Sequence, residues 1–270
     1  MPPWGDAGSF PVVLLAQISD FHVGLPGSDV ERRYDSAARL ERAVRHLCRM
    51  EPRPDVVLCT GDLVNDGLAE EYARLAALLK PLSMPCYLIP GNHDDREQLR
   101  AAFAGLGYLP ARGFLCYVVE AGPLRLIALD THVPGAPGGK LCEERLAWLD
   151  ARLSEAPTRP TLVLMHHPPF HTGIHRADAM GLDGADGFAT VIARHPQVER
   201  VLCGHLHRPI VKRFAGTVAS TCPSTMHQVE LDLGAPGRLA LVPEPPACQL
   251  HLWAESLGLV SHTSYIDGTA

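Results

Sequence analysis

Short apolar runs recur along this chain at residues 12–18, 55–59, 86–89, 162–165 and 198–203. They are rich in Val, Ile and Leu, too short for buried helices, and bounded by polar or turn-forming residues, so they read as buried strands. Between them the period changes to that of a helix. Ala37, Leu40, Val44 and Leu47 mark one helix that ends before Pro52 and Pro54. A second is expected over residues 70–79, stopped by Pro81, and a third over 96–103 behind an Asp94-Asp95 cap. Beyond a Gly/Pro loop at 133–140, Leu146, Leu149 and Leu153 keep helical register. Residues 115–119 and 124–129 flank Gly122-Pro123 and predict a hairpin. After about residue 205 only strands follow, at 210–214, 217–220 and 226–231. Pro243–Pro246 then breaks the chain ahead of a terminal hairpin over 248–253 and 258–265. Alternating strands and helices followed by strands suit two packed sheets with helices on both outer faces.

Five of the predicted strands end in side chains able to bind metals. These ends are Asp20-Phe21-His22, Gly61-Asp62, Gly91-Asn92-His93-Asp94, His166-His167 and Gly204-His205-Leu206-His207. Neighbouring strand ends in an α/β sheet gather at one rim, where such folds place ligands. Asp20, His22, Asp62, Asn92, His166, His205 and His207 offer carboxylate, amide and imidazole donors without a thiolate, more than one ion needs and enough for two. In an extended segment residues two apart point the same way. Asp20 and His22 are therefore expected on one face, with Phe21 turned to the core, and His205 and His207 pair by the same rule. Asp62, alone after its strand, is the candidate to bridge two ions, with Gly61 giving the backbone room to turn.

Each residue also has an ordinary reading. An Asp after a strand is most often a turn or cap residue, and an isolated His a satisfied polar side chain. Five such strand ends in one chain reverse that preference. His167 is expected to point away from the metals. Asp94 either orients His93 or caps the following helix. His227 lines the site or is a strand residue. His171, His175, Asp178 and Asp183 sit in or beside a Gly-rich loop over 172–187, read as solvated. Arg39, Arg42 and Arg45 read as a solvated helix face.

The order and wording of the five blocks resemble the calcineurin-like metallophosphoesterase superfamily, whose pattern is D-x-H, G-D, G-N-H-D/E, H and G-H-x-H. Within it, four stretches are similar to the cyclic-nucleotide phosphodiesterase and glycerophosphodiesterase group. They are Gln17-Ile18-Ser19-Asp20, residues 88–95, Met165-His166-His167-Pro168-Pro169 and residues 221–229. The resemblance implies a four-layer αββα sandwich of two mixed β-sheets flanked by helices. It implies two divalent or mixed-valence ions, Fe, Mn, Zn or Co by ligand type, one held by Asp20, His22, Asp62 and His207 and the other by Asp62, Asn92, His166 and His205. It assigns His93 to the phosphoryl group or leaving oxygen, with Asn92 and His207 also contacting substrate. The implied reaction is hydrolysis of a small phosphodiester, a 3′,5′-cyclic nucleotide or a glycerophosphodiester. The alternatives are a phosphomonoesterase or nucleotide pyrophosphatase on the same metals, and a scaffold that has lost activity.

Composition narrows the setting. With 270 residues, 46% hydrophobic and 20% charged, the chain has ample core. We read residues 1–10 as a loose tail without signal-peptide character, 11–242 as the catalytic domain and 243–270 as a hairpin extension of it. A net charge of −6 argues against a nucleic-acid polymer as partner. No run of 18 apolar residues suggests a membrane span, and the Cys spacing does not suggest a disulfide framework. Cytoplasmic residence is expected by default, and the C-terminal segment is where a homo-oligomer contact is expected. Acidic residues in the 172–187 loop, against few nearby cations, suggest a preference for monoanionic diesters over dianionic monoesters.

Overall fold

The computed structural model describes residues 12–234 and 239–266. The tail expected over residues 1–10 lies outside them. The first strands are β1 (Val13–Ile18), β2 (Val56–Cys59), β3 (Cys86–Leu88), β4 (Tyr117–Ala121) and β5 (Leu124–Ala128). Next come β6 (Gly139–Lys140), β7 (Thr161–Leu164), β8 (Leu182–Asp183), β9 (Val198–Cys203) and β10 (Val211–Phe214). The last are β11 (Thr217–Thr221), β12 (Gln228–Val229), β13 (Leu241–Val242), β14 (Ala247–Ala254) and β15 (Gly258–Tyr265). The helices are α1 (Asp29–Tyr34), α2 (Ser36–Arg49), α3 (Ala69–Leu79), α4 (Arg96–Ala102), α5 (Glu143–Ser154), α6 (His175–Asp178) and α7 (Ala185–Ala193).

Two mixed sheets form the middle, in the orders β15-β14-β1-β2-β3 and β10-β11-β9-β7-β5-β4. Alternation along the strands assigns each side chain to a layer. Val13 and Leu15 of β1 pack between the sheets with Leu126 and Ala128 of β5. Their neighbours Ala16 and Ile18 turn outward to Leu40, Val44 and Leu47 of α2, with Leu75 of α3 in the same cluster. On the other side Ile127 and Leu129 turn outward to Leu149 of α5 and Phe188 of α7. The layers therefore run helix, sheet, sheet, helix, as the resemblance implies. α2 forms because Ala37, Leu40, Ala43, Val44 and Leu47 make one buried stripe while its Arg and Glu residues stay on the other side.

Register places the site. Ile18 pairs with Cys59 and Cys59 with Leu88, so three parallel strands end level. In the second sheet Ala128 pairs with Leu164 and Leu164 with Leu202. Both rows of carboxyl ends reach a common rim, where the His166 ring donates from Nδ1 to the Thr60 carbonyl at 2.8 Å.

Two sequence expectations need correction, those for residues 226–231 and 172–187, while the packing of the terminal hairpin is left open by the sequence. The strand expected over 226–231 shrinks to β12, which among the described residues pairs with β13 alone. The 172–187 loop holds α6 and β8 and runs into α7. The terminal hairpin packs on its own core, because β14 runs antiparallel to β1 in five residue pairs. The segment expected to join copies thus supplies β15 as a sheet edge.

Candidate metal centre

The chain leaves β1 through Ser19 into a turn that keeps company with the segment leaving β2. The Asp20 amide donates to the Gly61 carbonyl, and the His22 amide to the Asp62 carbonyl, each at 3.0 Å. Asp20, His22, Asp62, His205 and His207 all have positive φ, between 46° and 73°. Non-glycine residues seldom adopt this left-handed backbone, and it clusters where function over-determines the fold. The extended alternation expected for Asp20/His22 and His205/His207 is therefore wrong in its cause, because left-handed turns aim these side chains. Phe21 does turn into the core and is fully buried. Gly61 has a φ of 92°, and a Cβ there would collide with the His166 ring and the Gly91 amide. A Cβ on Gly91 would strike Asp62.

The first group of donors is Asp20, His22, Asp62 and His207, all buried, with ligand atoms within 4.8 Å of one another. Nε2 of His22 and Nε2 of His207 lie 3.2 Å apart. His207 Nδ1 donates to the His227 carbonyl at 3.0 Å, which leaves its Nε2 as a lone pair facing the group. Asp20 Oδ1 accepts from the His205 amide at 3.0 Å, while Oδ2 is buried with no partner among the described residues. Asp62 reaches past this group. Its Oδ2 is 3.6 Å from His22 and 3.4 Å from His166, whose Nε2 is 3.2 Å from Asn92 Oδ1. His205 completes the second side, 5.1 Å from His166 by ring centroids, its Nε2 donating to the Met180 carbonyl at 3.1 Å.

Electrostatics say what this arrangement lacks. Burial drives the His22 ring well below the usual imidazole range and His205 to about 3. Burial would lift Asp62, yet His166, then His22 and His93, hold its carboxyl well below the usual range. Burial opposes a charge on His166, but Asp62 beside it raises the ring to about 9. Two carboxylates, one with a buried bare oxygen, and converging imidazole lone pairs are costly to bury without cations. These residues could hold two metal ions.

His167, expected to point away, instead closes on His166 and His205, with ring centroids 4.9 and 4.6 Å away and the ligand atoms of all three within 4.8 Å of one another. Its Nδ1 meets the Thr131 hydroxyl at 2.8 Å and its Nε2 the Pro137 carbonyl at 3.3 Å, so neither nitrogen is left for an ion. His93 is exposed in the cleft; its amide donates to Asp62 Oδ1 at 2.9 Å and its Nδ1 to the Asn65 carbonyl at 2.8 Å. Asp94 neither orients His93 nor caps the helix. It accepts from the amides of Leu63, Val64 and Gly91 and from the Tyr72 hydroxyl, fastening two strand-end segments together. The cap on α4 is Asp95, which accepts from the Glu97 and Gln98 amides.

One further strand end carries a pattern of the same kind. After β5 come Asp130, Thr131 and His132, another Asp-x-His. Asp130 holds Arg96 at 2.5 and 3.0 Å, and His132 Nδ1 donates to the Gly91 carbonyl at 3.0 Å, bracing the turn that carries Asn92 and His93. Arg96 is thus spent on structure, as is Arg208, which donates to the Val229 carbonyl and Glu244. The acids of the 172–187 segment do not face the site either. Asp178 accepts from Thr172 and Gly173, and Asp183 pairs with Lys140 at 2.7 Å. His171 and His175 are exposed away from the cleft.

Of the donors, His22, Asp62, Asn92, His205 and His207 line a cleft of about 420 Å³, with His93 beside them. Its outer part is formed by α1, which contributes Arg33 and Tyr34, and by His227, Val229 and Leu241 around the β12–β13 ribbon. His227 is buried, and burial, with His207 close by, pushes its ring down to about 3. It lines the site from a position just before β12.

Comparison with known proteins fits this geometry. Residues 13–209 match the model of the calcineurin-like phosphoesterase family. The chain is 34% identical over 243 residues to the glycerophosphodiester phosphodiesterase GpdQ of Enterobacter lignolyticus, covering 88% of this chain and 86% of that one. It is 33% identical over 216 residues to the 3′,5′-cyclic adenosine monophosphate phosphodiesterase CpdA of Pseudomonas aeruginosa, covering 80% and 77%. A dimetal phosphatase from Danio rerio shares the fold, with a TM-score of 0.64 at 17% identity, over 95% of this chain and all of that one. With its matched span, its strand-end donors and its four-layer fold, the chain belongs to the calcineurin-like phosphoesterase family.

Proposed function

We propose that the protein is a dinuclear metal-dependent phosphodiesterase acting on small phosphodiesters, with 3′,5′-cyclic nucleotides and glycerophosphodiesters as the substrate classes. Asp20, His22, Asp62 and His207 would hold one ion, and Asn92, His166 and His205 the other, with Asp62 able to serve both. Imidazole, carboxylate and amide donors favour Fe, Mn, Zn or Co over Mg or Ca. When bound, such a pair neutralises phosphoryl oxygens and makes water a competent nucleophile near neutral pH.

The protein's own residues do the rest. The backbone carbonyls of Thr60, His227 and Met180 each accept a hydrogen bond from one ring N–H, of His166, His207 and His205, and so fix which nitrogen faces inward. His93, held through Nδ1 by Asn65, has Nε2 left to donate a proton to the departing alkoxide. Asn92 and His207 border the phosphoryl position. Asn92 is neutral, so the side it shares with His166 carries less negative charge than the side built on Asp20.

The observation that carries the diesterase reading is the cleft. It runs on past the donors between α1 and the β12–β13 ribbon, with an apolar wall and, among the described residues, Arg33 as its one Arg or Lys. A dianionic monoester would gain from more cations, and a diester needs the room for its second arm. Asp178 and Asp183 of the 172–187 segment are engaged away from the cleft and play no part in this preference. We predict that kcat/KM in Mn²⁺ is at least about tenfold higher for bis(p-nitrophenyl) phosphate than for p-nitrophenyl phosphate, a gap of only ~1.4 kcal/mol. Equal or reversed values at matched pH would turn the reading to a phosphomonoesterase.

The same reading takes residues 11–242 as the catalytic domain and 243–270 as its extension, supported by the pairing of β14 with β1. All eight cysteines are unpaired, which supports a reducing compartment such as the cytoplasm. No helix among the described residues is long and apolar enough to cross a membrane.

A further inference from the structure

Past the metal-binding side chains, the cleft has a wall that the chemistry above does not use. Tyr34, the last residue of α1, stacks on His227 with ring centroids 4.4 Å apart and planes 13° from parallel. His227 in turn meets His207 edge-on at 4.8 Å. Arg39 on α2, expected as a solvated residue, fastens the pair instead. Its Nε donates to the Tyr34 carbonyl at 2.7 Å and its Nη1 to the Met226 carbonyl at 2.9 Å. One planar guanidinium thus sets the distance between the α1–α2 corner and the segment that brings His227 to the cleft. The His227 carbonyl is itself the acceptor for His207 Nδ1, so the wall is in register with the donor ring. Beyond the stacked pair the surface is apolar, through Met226, Val229, Leu239 and Leu241.

We propose that Tyr34 and His227 form the specificity wall for the second ester arm, and that they favour a flat aromatic arm over a compact polyol. The proposal rests on the diesterase reading. A phosphorus held at the donor ring sends one arm along this wall, where it meets aromatic rings and apolar side chains. Rings of this kind gain from offset or edge-on contact with another π system. A polyol needs several hydrogen-bond partners, whereas this wall offers ring faces and apolar side chains; the Tyr34, Met226 and His227 carbonyls each already accept one hydrogen bond, from Arg39 or His207, and the charged side chains of the outer cleft are Asp29 and Arg33 of α1. Arg39 is a positioning residue that acts through the two carbonyls it holds.

The test uses two diesters with one leaving group, phenyl p-nitrophenyl phosphate and methyl p-nitrophenyl phosphate, so that only the second arm differs. The unaltered Mn²⁺ enzyme is expected to favour the phenyl ester in kcat/KM by about fivefold or more. Tyr34→Ala should shrink that ratio to within about twofold, and Tyr34→Phe should keep it, because the ring face and not the hydroxyl makes the contact. Arg39→Lys, which can donate to only one of the two carbonyls well, should raise KM for the phenyl ester more than it lowers kcat. Competitive inhibition gives a second readout: phenylphosphonate should bind more tightly than methylphosphonate, and Tyr34→Ala should narrow the gap. Equal losses for both esters in Tyr34→Ala, or a Tyr34→Phe that behaves like Tyr34→Ala, would overturn the wall while leaving diester hydrolysis standing. An unaltered enzyme that cleaves p-nitrophenyl phosphate but neither diester would overturn the diesterase reading and the wall together.

Discussion

Asp62→Ala is expected to lower kcat/KM for bis(p-nitrophenyl) phosphate by roughly 10³-fold or more, about 4 kcal/mol of barrier, and to reduce bound metal below two ions per chain. Two cations held close together repel, and a shared anion offsets that repulsion. Asp62 is the carboxylate placed to serve both sides, with Oδ2 3.6 Å from His22 and 3.4 Å from His166. The same residue also accepts the His93 amide through Oδ1, so its loss loosens the turn that carries the proton donor. Asp20→Ala removes a carboxylate from one group only and should weaken that ion while sparing the other. Metal analysis beside kinetics separates the two variants. Two ions per chain retained in Asp62→Ala would remove the bridging role.

The second large effect concerns His93. His93→Ala should lower kcat for alkyl diesters by roughly 10²- to 10⁴-fold, the range of a lost general acid. Metal content should stay unchanged, because His93 lies outside both donor groups and its Nδ1 is spent on the Asn65 carbonyl. For esters of p-nitrophenol the loss should be far smaller, since that anion departs without a proton. Equal losses for alkyl and p-nitrophenyl diesters would take away the acid role and leave His93 with phosphate positioning.

What the sequence reveals and what it hides follow from where information is stored. The strand ends are legible because a buried strand announces itself by composition, and a polar donor at its end stands out against it. The helix from 36 to 49 is legible because its buried stripe repeats at helical spacing. α1 buries no residue, so no stripe marks it; its only sign is Ser28 with Glu31 three residues on, and Ser28 Oγ does accept the Glu31 amide. That helix supplies Tyr34 and Arg33, so the outer cleft went unseen. Asp130-Thr131-His132 carries the same sign as Asp20-Phe21-His22, yet its side chains brace the Asn92 turn and do not join the donors, a difference that spacing alone does not reveal. Asp94 was misjudged because its partners, the amides of Leu63, Val64 and Gly91 and the Tyr72 hydroxyl, come largely from another segment of the chain. Backbone hand at the donors was beyond reach as well. Positive φ at Asp20 and His22 is set by their pairing with the segment after β2, a contact 40 residues away in sequence.

The central claim is a pair of ions sharing Asp62, and anomalous scattering from crystals grown with Mn²⁺ tests it most directly. Two peaks about 4 Å apart are expected, one beside Asp20, His22 and His207 and one beside Asn92, His166 and His205, with the Asp62 carboxylate contacting both. A single peak, or two peaks that do not share Asp62, would contradict it.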